Sequence, residues 1–199
     1  MSATVLAPPT ASPLDLSHQR ELAAAAKLAQ PVRRAARVAA FNAWATAILA
    51  AASAPFALFG VSGLLIFVGL ALVAYNEFRG RKRILAFDPA GAAILGWNQL
   101  ALLALITAYC LWALYSGLYG ENSFKAEIEA NPDLEAVLGG LGSVGDLFNQ
   151  VLVITYGTVI ALSVVFQGAN ALYYFSRRHL VEEYLLATPA WVRDVQRAT

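Results

Sequence analysis

The sequence predicts an all-α protein: a four-transmembrane-helix integral membrane bundle with both termini cytoplasmic and short amphipathic surface helices. Three observations predict it. Residues 38–76 contain no Asp, Glu, Lys, Arg or His. Two further apolar runs of spanning length follow, at about 91–116 and 148–175. Only 14% of the residues are charged, where soluble domains carry about 25%. A helix rises 1.5 Å per residue and needs about 20 apolar residues to cross a hydrocarbon core of about 30 Å. The run 38–76 therefore divides into two crossings and a turn. The expected organisation is an N-terminal tail with a surface helix at 1–37, a transmembrane domain at 38–175 with crossings at about 38–58, 62–77, 91–116 and 148–175, and a C-terminal tail at 176–199.

Residues 1–13 hold Pro8, Pro9 and Pro13 and few large apolar groups, and read as a disordered tail. They show neither a basic n-region nor an apolar h-region, so the first crossing is expected to act as its own insertion signal. Residues 14–30 are rich in Ala and Leu and read as a helix. Its modest apolar face, Leu14, Leu22, Ala25 and Leu28, suits the membrane surface. His18 lies on it and reads as solvated. Pro31 is expected to interrupt this helix and open the next one.

Arg33, Arg34 and Arg37 precede the first crossing, placed to reach lipid headgroups. Within it, Ala35, Ala39, Ala43, Ala47 and Ala51 recur every fourth residue. Such a stripe of small side chains lets another helix approach closely. The first turn is placed at Gly60–Gly63, which leaves Pro55 in the last turn of the first crossing. The alternative is a turn at Ser53-Ala54-Pro55, with Pro55 opening the second helix.

The second crossing ends in the densest charge cluster of the chain: Glu77, Arg79, Arg81, Lys82 and Arg83. Basic residues interleaved with Phe78, Ile84, Leu85 and Phe87 anchor the topology and suit an anionic lipid surface. The segment is too short to present a folded basic face to nucleic acid. Asp88-Pro89 is a helix start, with Asp88 as cap and Pro89 at the first helical position. The third crossing carries Trp112, Tyr115 and Tyr119 at its far end as an aromatic belt. Cys110 lies within it and reads as packing filler.

Residues 117–146 are acidic, with six carboxylates against Lys125. Asn131-Pro132-Asp133 starts a short helix whose Leu134, Val137, Leu138 and Leu141 share an apolar face. No EF-hand spacing is present, so a solvated loop is expected rather than a cation site. The fourth crossing ends at Tyr173-Tyr174-Phe175, followed by Arg177, Arg178 and His179. Its helix is expected to continue to about Leu186. A last short helix after Thr188-Pro189 carries Trp191, Val192 and Val195 and is expected to dock at the inner membrane surface.

Charge bookkeeping orients the chain. With four crossings, thirteen of the fourteen Lys and Arg fall on the side of the termini, and only Lys125 falls on the other with six acids. The positive-inside rule then places both termini in the cytoplasm.

No HExxH, Walker, GxSxG or CxxC motif occurs. No ionisable residue is expected deep in a crossing, where proton-coupled transporters keep one. No enzyme activity, cofactor or metal is expected. A set of amides stands out instead. Asn98 and Gln99 lie two turns into the third crossing, and Gln167 and Asn170 a similar depth into the fourth. Asn42 enters the first, and Asn76 and Glu77 close the second. Amides in hydrocarbon are costly unless paired, so these residues are expected to face one another. They serve either as hydrogen-bonded glue or as a polar cavity with Glu77 and Arg79 at its mouth.

The expected function is that of a non-enzymatic accessory or assembly subunit in a bacterial-type inner membrane. Its expected partners are anionic lipids and either a larger membrane protein or copies of itself. The alternative is a small oligomeric channel or facilitative transporter, with Thr46, Thr107, Thr155 and Thr158 extending the amide layer. A lipid-modifying enzyme would have to use Glu77, Asp88 or His179 as acid–base groups.

Overall fold

In a computed structural model, which describes residues 15–120 and 144–198, the chain forms five α-helices and no strand among those residues. They are α1 (Leu16–Ser53), α2 (Val61–Leu85), α3 (Pro89–Tyr119), α4 (Val144–Ala187) and α5 (Ala190–Ala198), with a 3-10 segment at Ala54–Leu58. The first four are long and apolar enough to cross a membrane. They run up and down in turn. Antiparallel contacts show this: Gly69 opposite Leu105 and Gly80 opposite Leu95 between α2 and α3, Gly96 opposite Phe175 and Gly117 opposite Leu152 between α3 and α4. The ends of α1 and α4 that carry the termini therefore lie together.

Local chemistry explains the boundaries. Asp15 caps α1, its carboxylate accepting from the Leu16 N–H. Asp88 caps α3 by accepting from the Ala90 N–H at 2.9 Å, with Pro89 in the first turn, as the sequence predicts. The α1–α2 turn combines both expected positions. The α-helix stops at Ser53, Pro55 opens the 3-10 segment, and the chain reverses at Phe59-Gly60. Pro55 is thus outside α1 and does not kink it. Gly60 has φ 157°, a backbone region that side chains with a Cβ rarely enter.

Two expectations fail for one reason. Pro31 does not break the helix: α1 is continuous through it. The segment before it continues as the same helix into the first crossing and packs its Ala25 and Ala29 into the protein's own core. Pro31 removes one intrahelical hydrogen bond, but Ala25, Ala29, Val32 and Ala36 on both sides of it are buried in one core. Tertiary packing on either side outweighs the local defect. At 1.5 Å per residue, α1 and α4 are about 57 and 66 Å long, roughly twice the hydrocarbon thickness. Their excess length projects from the end that carries the termini.

The hydrophobic core sits at that end. Ala25, Ala29, Val32, Ala36 and Ala39 of α1 meet Ile84 and Phe87, Ala92 and Leu95 of α3, Tyr174, Val181 and Tyr184 of α4, and Val192 of α5. The α5 helix docks on its own chain: the Trp191 indole N–H donates to the Glu21 carboxylate at 2.9 Å, and His18 meets the Trp191 ring edge-on at 5.0 Å. Toward the other end the helices expose their large apolar side chains, among them Phe41, Ile48, Leu65, Ile154 and Phe166.

The alanine stripe is internal only in part. Ala35, Ala39 and Ala43 are buried, Ala47 is half-buried and Ala51 is exposed. A four-residue repeat drifts about 40° per step on a helix of 3.6 residues per turn, so the stripe winds off the contact. The buried line of α1 instead follows Ala39, Ala43, Thr46 and Ala50. The short helix expected to start at Asn131-Pro132-Asp133 lies outside the described residues.

Helices α2 and α3 touch backbone to backbone. A Cβ on Gly91 would sit 2.7 Å from the Ile84 nitrogen and 3.0 Å from the Gly80 carbonyl oxygen. Gly157 of α4 has nothing within 4 Å of such a Cβ. Gly91→Ala should therefore destabilise the protein by about 1–3 kcal/mol through overpacking. Gly157→Ala should leave it unchanged or gain up to about 1 kcal/mol from helix propensity. Thermal unfolding in detergent, followed by circular dichroism, checks the contrast.

Candidate functional site

The close α2–α3 crossing fixes what lies one turn above it. Glu77 precedes Gly80 on α2, and Asn98 and Gln99 face it from α3. The Asn98 amide donates to Glu77 Oε1 at 3.0 Å and, through the same nitrogen, to the Val73 carbonyl at 2.9 Å. That carbonyl has a second lone pair to spare beyond its place in the helix. The Gln99 amide donates to the same Oε1. Glu77 is fully buried, and Asn98 and Gln99 are 4% and 2% exposed. Glu77 Oε2 is buried and has no hydrogen-bond partner among the described residues.

A second pair extends this layer across the bundle. The Asn42 amide of α1 donates to the Tyr174 hydroxyl of α4 at 3.0 Å. Tyr174 is fully buried and within electrostatic reach of Glu77. All four long helices thus contribute to one polar layer: Asn42, Glu77, Asn98 with Gln99, and Tyr174.

Of the amides singled out in the sequence, Asn42, Asn98 and Gln99 enter this layer. Asn76, Gln167 and Asn170 are half-buried and give no hydrogen bond to the Glu77 carboxylate. Glu77 itself is not at the mouth of a cavity but at the sealed centre of the cluster, while Arg79 is exposed. The apolar run ends at Asn76, but α2 continues to Leu85 and carries Glu77 inside the bundle. Tyr174 is the member that the sequence reading missed. A signal for it existed in its spacing of four from Asn170 and seven from Gln167, which marks one face of α4.

The basic residues divide by environment. Arg33, Arg34, Arg37, Arg79, Lys82 and Arg178 are exposed, and Arg81, Arg83 and Arg177 are half-buried. Arg83 pairs with Asp88 at 3.5 Å, and Arg178 with Glu182 at 2.9 Å, one helical turn apart. The Arg177 guanidinium lies 4.4 Å over the Tyr173 ring.

Chemically, the layer presents one carboxylate oxygen held by two neutral donors and a second left unpaired among the described residues. Two neutral amides satisfy one oxygen of the carboxyl group, while Oε2 is enclosed by the helices. No group of three or more His, Cys, Asp or Glu able to hold a metal occurs among the described residues.

No protein-family model, curated protein or solved structure matches this chain.

Removing the carboxylate strands two buried donors. Glu77→Ala should lower stability by about 2–4 kcal/mol, since each unsatisfied buried polar group costs about 1–3 kcal/mol. Glu77→Gln, which keeps volume and one acceptor oxygen, should lose less. Asn98→Ala should be costly and Gln167→Ala nearly neutral. Equal unfolding midpoints for the two alanine variants at Asn98 and Gln167 would contradict this assignment.

Proposed function

We propose that this chain is a non-enzymatic accessory or assembly subunit of a larger membrane complex, in the plasma membrane of a bacterial-type cell, with both termini in the cytoplasm. The orientation rests on the distribution of Lys and Arg. The subunit role rests on one observation about α4.

Elsewhere in the long helices, glycines mark filled crossings. Gly69, Gly80, Gly91, Gly96 and Gly117 each have a neighbouring helix so close that a Cβ would collide with it. On α4, Gly157 and Gly168 have nothing within 4 Å. With exposed Ala161 between them, they lie on one stripe of the helix, flanked by exposed Ile154, Val164 and Leu172. This stripe lies about 120° round the helix from Ser163 and Tyr174, which α4 buries in the bundle, and its half-buried end at Gly168 borders buried Ala171. A small-residue groove between branched side chains is the surface on which transmembrane helices associate. Lipid chains gain nothing special from it.

The channel alternative draws on a different detail. Thr155 and Thr158 are exposed on α4, beside Gly157. They do not extend the amide layer within one chain, and would line a path only between subunits.

One experiment separates the readings. The protein is purified from its native membrane in mild detergent, and the mass and composition of the particle are measured, for the wild type and for Gly157→Leu/Ala161→Leu. The expected result is one larger membrane protein in fixed ratio with the wild type and its loss from the variant, which itself stays folded because it alters no internal contact. A homo-oligomer that passes ions in liposomes would favour the channel reading. A monomer with no partner would overturn both.

A further inference from the structure

Four arginines of this protein share one cavity. Arg33, Arg34 and Arg37 of α1 and Arg81 of α2 line a groove of about 870 Å³, completed by Gln30, Ala36, Leu85, Phe87 and Gln196. Among the described residues no acidic side chain lines it. We propose that this groove is a binding site for a phosphate group, the chemistry shared by anionic lipid headgroups and soluble phosphate compounds.

Charge is the first argument. Arg33 and Arg37 are four residues apart on one helix, and Arg34 and Arg37 three apart, spacings at which like charges repel. The ion pairs formed among the described residues use Arg83 and Arg178 instead. None of the four groove arginines pairs with a carboxylate there. Arg81 Nε is shut off from solvent and has no hydrogen-bond partner among the described residues. A multivalent anion bridging the guanidinium groups relieves the repulsion and supplies acceptors. Arginine is suited to this because its planar fork binds phosphate oxygens two at a time.

Shape and position are the second. The groove's inner wall is apolar, made by Ala36, Leu85 and Phe87. Phe87 is held there at cost. Its φ is 55°, the left-handed region that favours glycine at the end of a helix. The Phe87 N–H donates to the Ile84 carbonyl and the Asp88 N–H to that of Arg83, the double hydrogen bond that closes such an end. The Phe87 ring stacks on Tyr184 with centroids 4.0 Å apart and is 8% exposed. Packing thus retains a bulky side chain where glycine would relax the backbone, and that side chain forms a wall of the groove. Arg37 immediately precedes the charge-free run that begins at Val38. The groove therefore sits at the level where phospholipid headgroups meet a membrane-spanning helix, the place where basic pockets between such helices take phosphate.

The test uses the full chain in detergent. Native mass spectrometry and thermal unfolding are followed on adding short-chain phosphatidylglycerol, phosphatidylcholine of the same chain length, or inorganic phosphate. The expected result is retention of phosphatidylglycerol with a rise in unfolding midpoint. Apparent affinity should fall about tenfold or more in Arg37→Gln/Arg81→Gln, the loss expected for charge-assisted hydrogen bonds. Arg79→Gln/Lys82→Gln, which removes two charges outside the groove, should bind as the wild type does. Arg81→Lys, which keeps charge and loses the fork, should fall between. Binding of inorganic phosphate with the same arginine dependence would support the site and assign a soluble ligand. Equal retention of phosphatidylcholine, or binding indifferent to Arg37 and Arg81, would overturn the proposal.

Discussion

A carboxylate removed from water needs donors, and in this bundle Glu77 finds them on a single neighbouring helix. That requirement governs much of the rest. Asn98 and Gln99 are consecutive on α3, and both reach one oxygen of Glu77. Short amide side chains do so only if α2 and α3 lie very close. Gly80 and Gly91 permit the approach, with backbone meeting backbone at their crossing. A crossing so near the helix ends leaves little room for a connection, and the α2–α3 turn spans only Ala86 to Asp88. Phe87 occupies the left-handed position of that turn, and its ring carries the contact to Tyr184 of α4. One buried carboxyl group is thus linked, through close packing, to a strained turn and a contact with a third helix.

The location of the core follows from the two solvents that the chain meets. Between helices surrounded by lipid there is little hydrophobic drive, because lipid tails are as apolar as leucine. Packing there depends on small residues and hydrogen bonds. Helices α1 and α4 are longer than a crossing needs, and burial of apolar surface is favourable wherever their excess length meets water. Val32, Ile84, Val181, Tyr184 and Val192 collect at that end. The helix α5 completes the cluster, with the hydrogen bond from Trp191 to Glu21 fastening it to α1. The polar layer lies just inside this core, so its amides are fixed by packing on the watery side and screened by helices on the other.

Much of this architecture was legible in the sequence because charge is nearly absent from the spans. Four long apolar helices, the Asp88-Pro89 start and the long extension of α4 all follow from composition and capping. The misreadings have a common origin in arguing from local signals. Pro31 is a helix breaker by its own chemistry, yet α1 passes through it because both flanks are buried. The alanine repeat of four marks a contact only as far as its phase matches the helix, through Ala43. Glu77 stood at the end of an apolar run and so read as interfacial. No local signal distinguishes a carboxylate facing water from one facing Asn98 and Gln99.

The partners chosen for Glu77 bear on the groove as well. Glu77 and Arg81 are four residues apart on α2, the order and spacing of a favourable intrahelical ion pair. That pair is not made. The carboxylate turns toward α3 and is held by two neutral amides, while Arg81 lines the cavity beside α1. Had the two paired, each would have cancelled the other, and the groove would have three cations rather than four. Satisfying an acid with amides leaves the positive charge uncommitted. The same holds for Arg33, Arg34 and Arg37, which form no ion pair among the described residues. The acid one turn before Arg81 is thus turned into the bundle while the four guanidinium groups of the groove pair with no carboxylate among the described residues, the arrangement that an anion at the headgroup level requires.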